Sequence, residues 1–294
     1  SMTENHFNSK DLKVNCDFFD VDVNGILNFK KIGNTFKNYV LNHFHVRQWA
    51  DKGVKLEDEE QEFYVNMNFK NTETLSNLLM PNLMLSNNTN FTATFTSKNY
   101  LLYSTLESDK IIYNNFIMND IYVKNKTERN KTTASINLKE LIMKESNEKN
   151  DVELGLENMK FMMDAHNDIL FFDISWDDFN PDDKNKGKIE ARFNPHEKTG
   201  GVLHVTSSDV IINDSLWNIS PTCYIDFKKN NVKFNKFDIY SRSQSLSIDG
   251  RFPKTSQDTI YLNFNKLNIS NFDLLTAGSW RLEAICYFYS VIGR

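Results

Sequence analysis

Apolar and polar residues alternate with a period of two along most of the chain, the mark of strands that bury one face. Phe19, Val21 and Val23 alternate with Asp20, Asp22 and Asn24, and Phe63, Val65, Met67 and Phe69 with Tyr64, Asn66, Asn68 and Lys70. The same habit continues at Ile136 and Leu138, at Val152, Leu154 and Leu156, and at Ile189, Ala191 and Phe193. Val202, His204 and Thr206 follow, then Ile260, Leu262 and Phe264. Only Asn34 to Asn42 and Thr72 to Met80 suggest short helices, the second stopping before Pro81. Phe18 to Gly25 and Ser245 to Gly250 each run into a glycine, where the backbone is expected to turn. The polar stretches Leu56 to Gln61, Asn125 to Thr133, Glu145 to Asp151 and Asp177 to Lys188 read as loops.

A repeat lies inside this pattern. Val232 to Ile239 (VKFNKFDI) and Leu262 to Ile269 (LNFNKLNI) share one form, and Ile111 to Met118 (IIYNNFIM) fits it more loosely. Each has two alternating pairs separated by an Asn-centred step of two residues. Such a step shifts the alternation by one, as a bulge or a tight corner between strands would. The repeat therefore predicts a mainly β chain whose sheet is lengthened by adding similar strands.

The polar loops divide the chain into an N-terminal tail (1–17), a first β segment (18–150), a second (151–278) and an atypical C-terminal tail (279–294). Ser1-Met2 resembles a tag remnant, and the sequence reads as an internal piece of something longer.

Composition narrows the function classes. Lysine plus arginine number 34 and aspartate plus glutamate 39, a net charge of −5 over 294 residues. That balance argues against nucleic acid as a partner. No apolar run approaches the roughly 20 residues of a membrane helix. The cysteines, Cys16, Cys223 and Cys286, are too far apart in sequence for a disulfide framework or a zinc motif.

Catalytic signatures are absent: no G-x-S-x-G, H-E-x-x-H, C-x-x-C or phosphate-binding glycine loop. Neither an enzyme nor a cofactor is expected. His43 and His45 would share a face on a strand but lack a third ligand nearby in sequence. Asp164, His166 and Asp168 alternate, most simply as a solvated edge. Asp178, Asn180 and Asp182 have calcium-loop spacing, but Asp183 and Ile189 replace the required glycine and glutamate. Glu57 to Glu60 reads as a solvated hairpin tip.

A family resemblance enters through five stretches, Phe69 to Ser97, Ile211 to Ile219, Val232 to Ile239, Leu246 to Gly250 and Asp258 to Leu275, with the marks DSLWNISP, VKFNKFDIYSRSQSLSIDGRF and DTIYLNFNKLNISNFDLL. In this order they resemble the TamB proteins of the AsmA-like group, of the Bacteroidetes type, over most of residues 18 to 275. The resemblance implies an internal segment of a periplasmic bridge whose parent is anchored in the inner membrane. It implies an elongated, curved antiparallel β-sheet groove, a β-taco, with few short helices. It further implies passage of phospholipid acyl chains toward the outer membrane, in support of outer-membrane assembly. A barrel of the outer-membrane assembly type would bind the parent outside this fragment. The stretch after Gly278 departs from the family pattern.

Acyl transport needs no nucleophile, only a low-polarity path, because each CH₂ withdrawn from water gains about 0.8 kcal/mol. The side chains expected to face that path are Ile111, Tyr113, Phe116, Met118, Val232, Phe234, Phe237, Ile239, Leu246, Ile248, Ile260, Leu262, Phe264, Leu267 and Ile269. No metal site is expected. The competing expectation is a non-enzymatic β-sandwich that serves as an interaction or carbohydrate-binding module of a surface protein; the scattered tryptophans disfavour only its sugar-binding form.

Overall fold

Alternation of period two becomes strands, and every registered pair is antiparallel. The computed structural model describes all residues except 1, 5–8, 45–59, 71, 74–75, 77–79, 81, 130, 148–149, 179–184, 197–199, 213, 229–230, 253–257, 269–284 and 294. For residues 2–4, 44, 144–147, 150–154, 178, 268 and 285–293 it describes the backbone alone. The fold class is the expected one: mainly β, a large antiparallel sheet of the kind a curved groove requires, with one α-helix among the described residues. The chain divides into two units, residues 1–143 with 158–168, and 144–157 with 169–294.

Unit 1 contains β1 (Met2–Glu4), β2 (Ser9–Asn15), β3 (Phe19–Ile26), α1 (Ile32–Phe44), β4 (Glu62–Phe69), β5 (Leu83–Leu85), β6 (Asn90–Thr96), β7 (Leu101–Tyr113) and β8 (Phe116–Glu128). Parts of β9 (Lys131–Asn147) and β10 (Asn150–His166) belong to it. β1 to β4 pair in sequence order; β6 pairs with β4 and β7, β5 lies beyond β6 along β7, and β8 joins β7 to β9. The register places Val21, Met67, Phe91, Leu106, Val123 and Ile136 in one cross-strand row. The row on the opposite face is Asp22, Asn66, Thr92, Thr105, Lys124 and Ser135. One face is therefore apolar and the other polar, as the alternation demands.

The apolar face of unit 1 is closed in two places. Ile111, Ile121 and Leu138 form a buried cluster against Leu83, Leu85, Leu106, Met118, Val123, Ile136, Leu141 and Met159. Asp120, at φ 48°, kinks β8 between Met118 and Ile121, so both reach this cluster. At the other end lies α1, expected over Asn34 to Asn42 and observed over Ile32–Phe44. Asn28 starts it: its Oδ1 accepts the Lys30 N–H at 3.0 Å, and its carbonyl accepts those of Lys31 and Ile32. Thr35 and Tyr39, four apart, form its buried stripe. Tyr39 is 3% exposed, bonds Thr127 Oγ1 at 2.7 Å through its hydroxyl, and meets Phe95 edge-on at 6.2 Å. Gln61 is fully buried because its amide has partners: Nε2 donates to Thr35 Oγ1, and Oε1 accepts the Asn28 N–H at 3.3 Å. The helix expected over Thr72 to Met80 lies largely outside the described residues; among those described, the Ser76 N–H donates to Thr72 O and the Met80 N–H to Ser76 O.

Unit 2 contains β11 (Ile169–Asp178), β12 (Lys186–Pro195), β13 (Gly201–Ile212), β14 (Ser215–Ile219), β15 (Tyr224–Lys228), β16 (Asn231–Ser241), β17 (Gln244–Arg251), β18 (Thr259–Asn268) and β19 (Ile285–Gly293). β11, β12 and β13 pair in order; β14 and β15 succeed each other between β13 and β16; β17, β18 and β19 follow. The atypical tail thus contributes a strand over 285–293.

Several expectations are corrected. Asn125 to Thr133 and Glu145 to Asp151 are mostly strand, not loop. The β8–β9 ladder continues from Asn125 to Glu128 past the apolar rows, so both faces are polar there and alternation disappears while backbone pairing persists. Gly25 and Gly250 sit inside β3 and β17, one residue from the strand ends, not in turns. Gly250 has φ 111°, and a Cβ there would meet Thr259 O at 2.2 Å, so close approach of β18 excludes a side chain. Val202 and His204 face the polar side of β13; the apolar phase is Leu203 and Val205, because both phases of that strand carry apolar residues.

Candidate functional site

The candidate site is the apolar face of unit 2, and the repeat creates it. In β16 the register shifts between Phe234 and Phe237: Asn235 and Lys236 oppose the single residue Asp249. Lys236 adopts φ 42° and its N–H donates to Asp249 Oδ1 at 3.0 Å. β18 repeats the device: Lys266 adopts φ 49° and the register shifts between Phe264 and Leu267. These are β-bulges, as the Asn-centred step predicted. Each returns a residue three positions on to the same face, so Phe234 joins Phe237 and Phe264 joins Leu267. The Phe234 and Phe237 rings meet edge-on at 6.2 Å. The third copy is different: Asn114 and Asn115 form the two-residue hairpin turn between β7 and β8, with Asn114 at φ 52°.

Cross-strand rows assemble the face. Ile225, Phe234, Gly250 and Ile260 form one row. Phe237, Ile248 and Leu262 form a second. Ile239, Leu246 and Phe264 form a third, which Ile219 extends on β14. Of the expected residues in this unit, Ile260 and Leu267 are buried, at 7% and 6% exposure. Val232, Phe234, Phe237, Ile239, Leu246, Ile248, Leu262 and Phe264 are only half-buried. Ile269 lies outside the described residues. The other four belong to unit 1: Ile111 and Met118 lie in its buried cluster, and Tyr113 and Phe116 flank the β7–β8 turn, exposed.

The opposite face of unit 2 is polar and charged. Asp226, Lys233 and Arg251 make one row, and Asp238, Ser247 and Asn263 another. Asp226 accepts from His196 Nε2 at 2.7 Å and pairs with Lys228 at 3.3 Å. Partial burial pushes its carboxyl up, but the His196 and Lys228 bonds outweigh burial and hold it below the usual carboxylate range. His204 packs against Tyr224 with tilted rings 5.5 Å apart; burial, helped by Arg192, holds its imidazole below the ordinary value. Cys223 is fully buried, and burial, with Asp238 nearby, pushes its thiol up, which makes it inert.

Other sequence candidates fall elsewhere. His43 lies on α1, not on a strand, and its Nε2 donates to Tyr100 O at 2.6 Å; His45 lies outside the described residues. Asp164 bonds His166 Nδ1 at 2.7 Å and Lys131, while Asp168 belongs with Asn167 to a tight turn with φ 63° and 51°. Asn180, Asp182 and Glu57 to Glu59 lie outside the described residues. Among the described residues no three metal-ligating side chains converge.

Sequence reasoning missed several members of the apolar face. Leu203, Ile225 and Phe227 lie on it by register, as does Trp217, 1% exposed and opposite Val210. β14 and β15 are five residues each, too short for periodicity to announce. The sum is a non-polar surface of bulged, similar strands with a charged reverse side. No protein-family model, curated protein or solved structure matches the chain.

Proposed function

We propose that this chain is a lipid-conducting segment of a periplasmic bridge, of the kind its resemblance to TamB-like proteins implies. The observation that carries the reading is the apolar face of unit 2. Eight of its expected side chains remain half-buried, although isoleucine, leucine and phenylalanine usually seal a core. Contiguous apolar surface left partly uncovered marks a binding surface. Its residues are alike from strand to strand, so an acyl chain meets similar sites along it and no deep trap. The lysines at the bulges, Lys236 and Lys266, are exposed. On this reading the chain performs no chemistry. The parent sits in the inner membrane, phospholipid moves toward the outer membrane, and a barrel partner engages regions outside the fragment.

Native mass spectrometry of the purified chain, with lipid extraction of the same sample, tests the proposal. Phospholipid that co-purifies with wild type and disappears in a folded Phe234→Asp or Phe264→Asp variant supports it. A lipid-free wild type, or lipid occupancy and crosslinking unchanged in the folded variants, overturns it.

A further inference from the structure

We propose that the start of α1 in unit 1 is a docking surface for an anionic lipid bilayer. This inference stands on unit 1 alone and does not depend on what unit 2 conducts. Thr35 and Tyr39 supply the stripe by which α1 buries itself, yet the apolar surface continues past that stripe. Ile32 is 37% exposed and Phe36, one turn on, is 55% exposed. Phe29, just before the helix, is 48% exposed, and Ile26, at the end of β3, is 37% exposed. Four large apolar side chains within eleven residues therefore face outward, although Leu27 in their midst is buried at 5%. Scattered exposed apolar residues need no explanation, but a contiguous group does.

Charge identifies the occupant. From Ile26 to Phe44 the chain carries Lys30, Lys31 and Lys37 and no aspartate or glutamate, in a protein whose net charge is −5. The acid nearest in register is Glu62, opposite Ile26 on β4. Aromatic and branched side chains bordered by lysines match the headgroup boundary of an anionic bilayer: the rings enter the acyl edge and the ammonium groups meet phosphate. A protein partner would have to offer an apolar groove ringed with acids. The lipid surface offers both properties over any area. α1 has 13 residues and cannot cross a membrane, so it would lie along the surface.

The test is flotation of the full chain with vesicles of phosphatidylcholine containing about one-third phosphatidylglycerol, compared with pure phosphatidylcholine. Wild type should float with the anionic vesicles, and raised salt should release it, because each lysine near the surface is worth about fivefold in affinity. The pair Phe29→Ser and Phe36→Ser, both exposed, should weaken binding at least tenfold with unchanged circular dichroism. Lys30→Glu with Lys37→Glu should do the same and guards against a folding defect in the first pair. Leu216→Ser, at an exposed apolar side chain on the reverse face of unit 2, should bind as wild type does. Absence of wild-type flotation overturns the proposal. So does flotation lost in Phe234→Asp but kept in the α1 variants, which would place binding on unit 2. Self-association in sedimentation that the α1 variants abolish would assign the surface to a second copy of the chain and overturn it as well.

Discussion

In unit 1 the row that includes Phe63 and Phe95 runs under α1, whereas in unit 2 the row of Ile225, Phe234, Gly250 and Ile260 meets no helix among the described residues. The two units are built from the same kind of strand, in which apolar and polar residues mostly alternate. What differs is what covers the apolar side. Unit 1 carries a tyrosine and a fully buried glutamine that fasten a helix to it, and a buried aliphatic cluster further along the same sheet. Unit 2 spends its sequence on bulges that keep three-apart residues on one face. The lesson is that alternation specifies a face, while closure of that face needs separate and local chemistry.

Charge insertion should expose this difference most strongly. Ile121→Asp in the buried cluster of unit 1 is expected to cost about 4 kcal/mol or more, because the carboxylate gains no partner there. Phe264→Asp in unit 2 should cost about 1–2 kcal/mol, since the site is half open to water. Peptide-resolved hydrogen exchange in each unit measures both. Similar losses in the two would erase the distinction.

Tyr39→Ala tests what holds α1 in place. It removes a buried ring and the bond to Thr127, a loss of about 3–5 kcal/mol. Faster exchange should appear over α1, β6 and the end of β8, while unit 2 peptides stay unchanged.

Acid acts through Asp226 in unit 2. Its folded carboxyl lies below the ordinary range, so the stabilisation it brings is fully present above the unfolded value and is lost as pH falls through the folded one. Asp226→Asn should therefore be less stable than wild type at neutral pH and should lose less of its stability on acidification. Parallel pH profiles of unit 2 exchange would contradict the pairing with His196 and Lys228.

The smallest effect belongs to the bulges. Lys236 and Lys266 hold positive φ without being glycine. Lys236→Gly relieves that strain at some cost in chain entropy and should stabilise β16 by a few tenths to about 1 kcal/mol. A clear loss, read by exchange in β16 and β17, would mean that the lysine side chain matters more than its backbone.

Much of this architecture was legible beforehand. Period two announced β3, β4 and β18, and the Asn-Lys step announced the two bulges, because an apolar residue three positions after another makes sense only if an extra residue intervenes. The same step at Asn114-Asn115 became a hairpin turn, and nothing in the local residues separates the two outcomes. Only the presence or absence of a strand on the far side decides. The ends of β8 and β9 were unreadable because polar residues occupy both faces there, and β13 was read in the wrong phase because Val202 and Leu203 are both apolar.

For the candidate face, the sequence determined which residues alternate and therefore which share a side of each strand. Tertiary structure decided which strands pair and in what register, and so brought Phe234 of β16 beside Ile225 of β15 and in line with Ile260 of β18. It also decided that Ile111 is buried while Phe234 is half-exposed, two residues of similar character in similar patterns. Hydrophobicity acts on each side chain through its own area, but burial depends on what lies across from it. That neighbour comes from a distant part of the chain, which no local pattern records.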